Sequence, residues 1–399
     1  MSAPVIAGPY EYLLVRDNGN NLYLRNTFPA QYQPIVTLPG LPPQFLVVPP
    51  ISPELPIGTL PPGGGGSVGG GGVYSPEIDA PIAPPGIPLV PLYRQEVSLT
   101  TALASNAFTY DKVLLGNLHQ RNGDTFFIDK VNRRFWGRYV NNIGKSENNG
   151  TIYGNGPDYN FRINLAQIGW DLYNAIYDEH YYIAGILGAL GKSRSMVQAP
   201  FVGLGGKDRI LGSTLGGYFT YTYHKRLYLD AVIQGTHYNL KADSGRFVPV
   251  TPEGYGLSGS LEAGYRHFLT QKLSLQPQVQ FIVQSLSLDK TYDANTPVAG
   301  RVGLLGEFSK PILMFHPFSA WLRGNYWFQG NRTNNTYYLT SSDYIPFSSN
   351  LAKESAEAEA GITVKLRNNL SIYSTYSKTY FLDNHGNAST FIVGLSMVK

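Results

Sequence analysis

The 399-residue chain has no cysteine, which removes disulfides, thiolate nucleophiles and cysteine-ligated metal centres together. Charge is sparse as well: Asp, Glu, Lys and Arg make up 15%, with 31 basic against 27 acidic residues. A net charge of +4 is too weak a field for a polyanion binder, so no nucleic-acid partner is expected. No run approaches the ~18 consecutive apolar residues of a membrane-spanning helix, and the mean hydropathy of −0.16 agrees. This excludes a helical membrane protein but not a β-barrel, whose strands alternate lipid-facing and lumen-facing residues and look average on any hydropathy scale. Residues 1 to 20 lack a basic stretch followed by an apolar one, so no signal peptide is visible; an exported protein would begin upstream of this sequence.

What is abundant is Gly (44), Pro (28) and Tyr (29). Residues 27–92 hold 17 of the prolines and the run Gly63 to Gly66, Ser67, Val68, Gly69 to Gly72. No core can form from such a segment, so it is expected to be a disordered linker. Before it, residues 10–26 place two apolar-aromatic runs around Asn18-Gly19, a hairpin signal. An isolated hairpin is marginal in water, so residues 1–26 are expected to complete something larger upstream.

After the linker the period changes. Leu99, Ala102, Leu103, Val113, Leu114 and Leu118 recur at helical spacing over residues 96–121, and Asn122-Gly123 is a plausible end. About 24 residues at 1.5 Å make a rod of roughly 36 Å, comparable to the hydrocarbon thickness of a bilayer. Its polar residues Asn106, Asp111, Lys112, Asn117 and His119 rule out contact with lipid. An amphipathic helix on a soluble domain would read similarly.

From residue 132 onward the period is two. Leu273, Leu275, Pro277, Val279, Phe281 and Val283 alternate with polar neighbours, as do Leu227, Leu229, Ala231 and Ile233. About twelve such runs are countable between 132 and 398, including 159–173, 179–192, 211–223 and 354–367. An even number suits a closed antiparallel barrel. Connections at Lys225, 269–271 and Asn368 are short, whereas 241–254, 289–300 and 331–353 are long and polar, as on the two rims of an outer-membrane barrel. Tyr218, Phe219, Tyr221, Tyr223, Trp321, Tyr326, Trp327 and Phe328 lie toward strand ends, where an interfacial girdle is expected. A soluble β-sandwich also alternates, but its strands are shorter and its turns more frequent. The fold expected is therefore all-β: a twelve-stranded antiparallel transmembrane barrel over 130–399, with the helix of 93–123 and the linker before it.

Several stretches resemble the C-terminal translocator domains of monomeric autotransporters, the type V secretion proteins of the AIDA and pertactin kind. They are Tyr93-Arg94-Gln95-Glu96-Val97, Leu114 to Arg121, Trp136-Gly137-Arg138, Tyr228 to Gly235, Ser260 to Tyr265, Gln276 to Gln280, Arg301 to Leu304 and Leu322 to Trp327. The resemblance implies a Gram-negative outer-membrane barrel that supports export of its own passenger in cis and anchors it at the surface. It also implies that the helix plugs the pore, with Glu96, Leu99, Leu103, Asn106, Asp111, Leu114, Asn117 and His119 as its pore-helix residues. Residues 1–26 then read as the last, β-helix-like turn of the passenger. Lumen-facing Arg138, Asp230, Gln234, Glu262, Gln278, Arg323, Asn325, Glu357 and Arg367 are expected to satisfy the helix's polar groups. Some relatives release the passenger by cyclisation of an Asn side chain within this helix, which would fall at Asn106-Ala107, with Asp230 or Glu262 as helpers. Expected partners are membrane lipid, lipopolysaccharide, the barrel assembly machinery and periplasmic chaperones, for a monomer with no cofactor and no metal. One departure is the end, Phe391 to Lys399, which lacks the terminal aromatic residue that the assembly machinery recognises.

An outer-membrane phospholipase or protease, or a passive pore, is the competing reading. The enzymes need a His paired with Ser or Asp, whereas the seven His are scattered, His119 in the helix and His316 near a strand start. Gly203-Leu204-Gly205-Gly206-Lys207-Asp208 departs from a phosphate loop at both ends and reads as an ordinary loop.

Overall fold

The computed structural model describes residues 5–7, 10–16, 22–25, 93–123, 134–148, 156–199, 203–246, 249–288, 292–310, 317–339, 344–367 and 369–398. The linker over 27–92, the Asn18-Gly19 turn, the Asn368 connection, His316 and Lys399 lie outside the described residues. The chain divides into two units, Met1–Arg94 and Gln95–Lys399.

In the first unit β1 (Val5–Ala7), β2 (Tyr10–Arg16) and β3 (Leu22–Arg25) form an antiparallel three-stranded sheet. β2 and β3 pair from Leu13↔Arg25 to Arg16↔Leu22, which is the hairpin the alternation suggested, and β1 adds a third strand.

The second unit opens with two helices. α1 (Gln95–Leu115) contains neither Gly nor Pro, and the Thr101 hydroxyl bonds back to the Val97 carbonyl at 2.6 Å. It stops at Gly116, whose φ of +58° suits glycine. A Cβ there would also come within 2.7 Å of the Arg138 guanidinium. Asn117 then caps α2 (Leu118–Asn122), its side chain accepting from Gln120 N at 3.0 Å, and Gly123 ends it at φ +65°. The rod expected over 96–121 is thus two helices with a turn between. No helix among the described residues is long and apolar enough to cross a membrane.

The strands follow as β4 (Arg134–Ser146), β5 (Tyr159–Tyr177), β6 (His180–Ala199), β7 (Gly203–Tyr223), β8 (Leu227–Asp243), β9 (Glu253–Tyr265), β10 (His267–Phe268) and β11 (Leu273–Ser287). Then come β12 (Tyr292–Ala294), β13 (Val298–Lys310), β14 (Phe318–Gly330), β15 (Thr333–Leu339), β16 (Tyr344–Asn350), β17 (Glu354–Arg367), β18 (Leu370–Phe381) and β19 (Asn387–Val398). Setting aside the two-residue β10, the main sheet has twelve long strands, each antiparallel to its neighbours. It closes where β19 pairs with β4, from Asn387↔Lys145 to Val398↔Arg134, and where β9 pairs with β11. Closure leaves no strand edge in lipid, the requirement for any sheet that spans a membrane.

The faces are inverted relative to a water-soluble protein. Along β11 the apolar Val279 and Phe281 are about half exposed, while Gln276, Gln278, Gln280 and Gln284 are buried. Outside is the solvent that apolar groups match, and inside is a polar packed lumen. The β7–β8 turn is tight: three residues join Tyr223 to Leu227, Arg226 N donates to the Tyr223 carbonyl at 2.9 Å, and His224 and Lys225 between them take φ +49° and +55°, the sign a type I′ turn demands.

Three expectations change. Residues 203–208 are not a loop but the start of β7, held between Val197, Met196 and Ser195 of β6 and Asp243 and Ala242 of β8. The girdle splits by parity: Phe219, Tyr223, Tyr326 and Phe328 face outward, whereas Tyr218, Trp321 and Trp327 are buried in the lumen. The stretch 331–353 is not only loop, since β15 and β16 pair within it and β12 joins them in a second three-stranded sheet.

Candidate functional site

The site is the seat that the barrel wall makes for α1 and α2. Burial of α1 on nearly every side follows from its composition: an apolar stripe and a polar one, neither suited to lipid, each matched to a part of the lumen. Leu99, Leu103, Ala107 and Phe108 pack in one apolar cluster with Ile163, Leu165, Val197, Ile210 and Leu240 of the wall. All eight residues expected on the pore helix, Glu96, Leu99, Leu103, Asn106, Asp111, Leu114, Asn117 and His119, are buried.

Over the N-terminal half of α1 lies the small sheet. Tyr338 of β15 donates to the Glu96 carbonyl at 3.3 Å and hydrogen-bonds Thr100. Ser105 donates to the Ser349 carbonyl of β16 at 3.4 Å and accepts from Asn334 at 3.3 Å. In the middle, Tyr110 enters a slot cut by glycine: a Cβ on Gly212 would approach its hydroxyl to 2.7 Å. Tyr110 meets Tyr238 edge to face with ring centroids 6.0 Å apart, and Asp111 accepts from Thr236 at 3.2 Å. Lys112 stands over the Trp327 ring, 4.1 Å from its centroid.

The C-terminal end is held by charge. Arg138 donates to the Leu114 carbonyl at 2.5 Å and is itself positioned by Gln167 at 2.7 Å. A fixed cation thereby meets the negative end of the helix and its orphan carbonyls. Gln280 donates to the Gly116 carbonyl at 2.8 Å and Gln284 to the Phe108 carbonyl at 2.9 Å. Arg121 pairs with Asp230. The Leu118 amide donates to Glu262 at 3.0 Å, and Glu262 in turn lies 3.0 Å from Arg301. Gln120 donates to Glu359 at 2.6 Å, and Glu359 also accepts from Arg323 at 2.6 Å. His119 packs between Tyr228 and Trp321.

Of the residues expected to face the lumen, Arg138, Asp230, Gln234, Glu262, Gln278 and Arg323 are buried there. Glu357 is half-buried, accepts from Asn325 at 2.6 Å and is the carboxylate that interacts with Lys112 of α1. Arg367 is exposed at the end of β17, where a bulge between Lys365 and Arg367 shifts the register, and it does not reach the seat. Asp230 and Glu262 are not neighbours of Asn106: they hold α2, twelve or more residues further along the chain. The carboxylate that faces Asn106 is Asp208. Both side chains are buried, and neither has a hydrogen-bond partner of proper geometry.

Sequence reasoning missed Arg121, Arg301 and Glu359 as seat residues, although alternation with the outward-facing Val302, Ala358 and Ala360 puts Arg301 and Glu359 on the inner face. Asp208 was hidden by the loop-like glycines before it. Among the described residues no group of His, Cys, Asp and Glu is arranged to hold a metal ion.

A closed twelve-stranded barrel, apolar outside, polar within and occupied by its own helix, defines an outer-membrane protein whose lumen is plugged in cis. The sequence model of the family described as "Autotransporter beta-domain" matches residues 135–377. The structure is similar to the transport unit of the autotransporter AIDA-I from Escherichia coli, with 16% identity, a TM-score of 0.62 and coverage of 76% of this chain and 99% of that one. It is also similar to the beta domain of the Bordetella autotransporter BrkA, with 19% identity, a TM-score of 0.51 and coverage of 67% and 100%. The chain belongs to the autotransporter β-domain family. It is an outer-membrane translocator, which supports export of an N-terminal passenger and displays it at the cell surface.

Proposed function

We propose that residues 93–123 are the last part of the exported segment to enter the barrel, and that they stay there as plug and anchor. Residues 1–26 are then the end of the passenger, 27–92 the linker and 130–399 the barrel. The observation that carries this reading is the asymmetry of the seat. The N-terminal half of α1 lies along apolar and hydroxyl groups, whereas α2 and the end of α1 are gripped by Arg138, Asp230, Glu262 and Glu359. A chain moving outward would slide until that charged end engages. The barrel works as a holder, not as an enzyme, and as a monomer, since every barrel strand already has both neighbours. Its further partners are outer-membrane lipid and lipopolysaccharide, with periplasmic chaperones and the barrel assembly machinery during insertion.

Orientation follows from loop length. The connections at Lys225, 269–271 and Asn368 face the periplasm, those at 241–254, 289–300 and 331–353 face outside, and residues 1–90 are at the surface. Protease added to intact cells should cut within 27–92 and spare the strands. Protection of that segment until the outer membrane is permeabilised would contradict the orientation.

The pair Asn106 and Asp208 favours a second reading, release of the passenger. The Asn106 amide nitrogen attacks its own backbone carbonyl, the bond to Ala107 breaks, and the released amine of Ala107 takes the proton while the preceding chain ends in a succinimide. Asp208, unpaired beside the amide, is the group placed to accept a proton. Intact-mass measurement of outer-membrane material decides between anchor and release: a fragment beginning at Ala107, absent from the Asp208→Asn variant, supports release, and a full-length chain alone rejects it.

A further inference from the structure

One feature of the outer wall has no role in holding the helix. Arg162 of β5, Arg194 of β6, Arg209 of β7 and Lys241 of β8 are direct cross-strand partners in sequence: Arg162↔Arg194, Arg194↔Arg209 and Arg209↔Lys241. All four are exposed on the outward face. At a strand spacing of about 4.8 Å the row is roughly 14 Å long. Lys192 and Lys207 flank it on the same face. The carboxylate at hand is Asp243, 3.2 Å from Lys241, and Glu253 lies one strand further, opposite Asn239. Among the described residues Arg162, Arg194 and Arg209 have no carboxylate partner. Like charges directly opposite each other on neighbouring strands destabilise a sheet, so three in succession call for an external anion.

Their depth says what that anion is. Below the row, the outward residues of β7 run through Leu211, Leu215 and Phe219 to Tyr223, all exposed. The twelve steps from Leu211 to Tyr223, at about 3.3 Å each and tilted 35–45°, cover roughly 30 Å along the membrane normal, the height of the hydrocarbon layer. Arg209 therefore lies just past the apolar belt, at the end of the strands next to the long connections. That is the outer-leaflet headgroup level in the orientation proposed above, on which this inference rests.

We propose that the outward faces of β5 to β8 form a binding site for the phosphate groups of an outer-leaflet glycolipid. Arginine suits it, because a planar guanidinium binds phosphate through paired hydrogen bonds. The row is long enough to meet phosphates at both ends of a disaccharide headgroup while Met196 and Leu204, exposed on the side of the row away from the apolar belt, lie against the sugar.

The test uses the full chain inserted into phosphatidylethanolamine vesicles, with retained lipid measured by native mass spectrometry after titration with lipid A, dephosphorylated lipid A or phosphatidylglycerol. Lipid A should bind in preference to both others. The variant Arg162→Gln/Arg194→Gln/Arg209→Gln should bind it on the order of a hundredfold more weakly. A control triple at the opposite rim, Arg226→Gln/Lys272→Gln/Arg367→Gln, should leave binding unchanged. Heat-dependent gel mobility verifies that each barrel is folded; should the first triple fail to fold, the central Arg194→Gln alone should weaken binding several-fold. Equal loss in both triples, equal binding of phosphatidylglycerol, or no preference for the phosphorylated lipid would overturn the proposal while leaving the membrane reading intact. A chain that does not insert at all contradicts the membrane reading and the proposal with it.

Discussion

Removing the Asp230 carboxylate tests how the plug is held. Arg121 is buried and pairs with Asp230, and its Nε atom has no other partner of good geometry. Asp230→Asn keeps the shape and the acceptor for Thr220, 2.7 Å away, but leaves the guanidinium without its counter-charge. Breaking one side of a buried ion pair typically costs about 3–5 kcal/mol. Here the lower end applies, because Glu262 stands directly opposite Asp230 on β9 and supplies part of the lost field. If that cost falls on the seated state alone, about 3 kcal/mol raises the unseated population on the order of a hundredfold. Single-channel recording in planar bilayers reads this as more frequent openings of an otherwise closed lumen. The double variant Arg121→Met/Asp230→Asn removes the stranded charge and should return openings most of the way to the parent level, a non-additivity expected for groups in contact. Unchanged openings in Asp230→Asn, or a double variant as leaky as the sum of its singles, would show that this ion pair does not hold the plug.

Two further variants probe other parts of the seat. Gly212→Val fills the Tyr110 slot and should destabilise the folded barrel by about 1–3 kcal/mol in thermal melts, with Tyr110→Ala in the same chain restoring most of the loss; failure of that rescue would show that the slot is not where the strain arises. Arg138→Ala strips a charged donor from the end of α1 and should cost about 1.5–3 kcal/mol in the same assay, and Arg138→Lys should not recover it, because lysine cannot bond Gln167 and the helix carbonyls from one planar fork.

The barrel was legible because a strand in a membrane wall must alternate, and alternation survives in any sequence long enough to show it. Leu227 to Gln234 and Leu273 to Gln284 display the inner and outer faces residue by residue. The helix was legible for a different reason: it is the one long stretch of helical spacing free of proline, and its polar residues forbid lipid. What escaped was whatever depends on closure. Arg121 and Asp230 are 109 positions apart, and only the ring of strands brings them together. Tyr326, Trp327 and Phe328 are adjacent in sequence, so a cluster of aromatics there says nothing about which of them turns inward; Trp327 does, over Lys112. The start of β7 looked like a loop because Gly203, Gly205 and Gly206 carry no side chain to alternate, yet its neighbours supply the ladder bonds. The polar stretch around β15 and β16 gave no sign that it would cover the helix.

The helix occupies the lumen of the barrel it belongs to, and a cross-link between the two tests this directly. The chain has no cysteine, so a pair introduced as Asn106→Cys and Asp208→Cys supplies the only thiols in the protein. In outer-membrane material these two should cross-link under mild oxidation and shift the mobility of the denatured chain, whereas Asn106→Cys with Leu215→Cys, whose side chain points outward from the same strand, should not. Free thiols in the first pair, with Cys at position 106 open to membrane-impermeant reagents, would contradict the account.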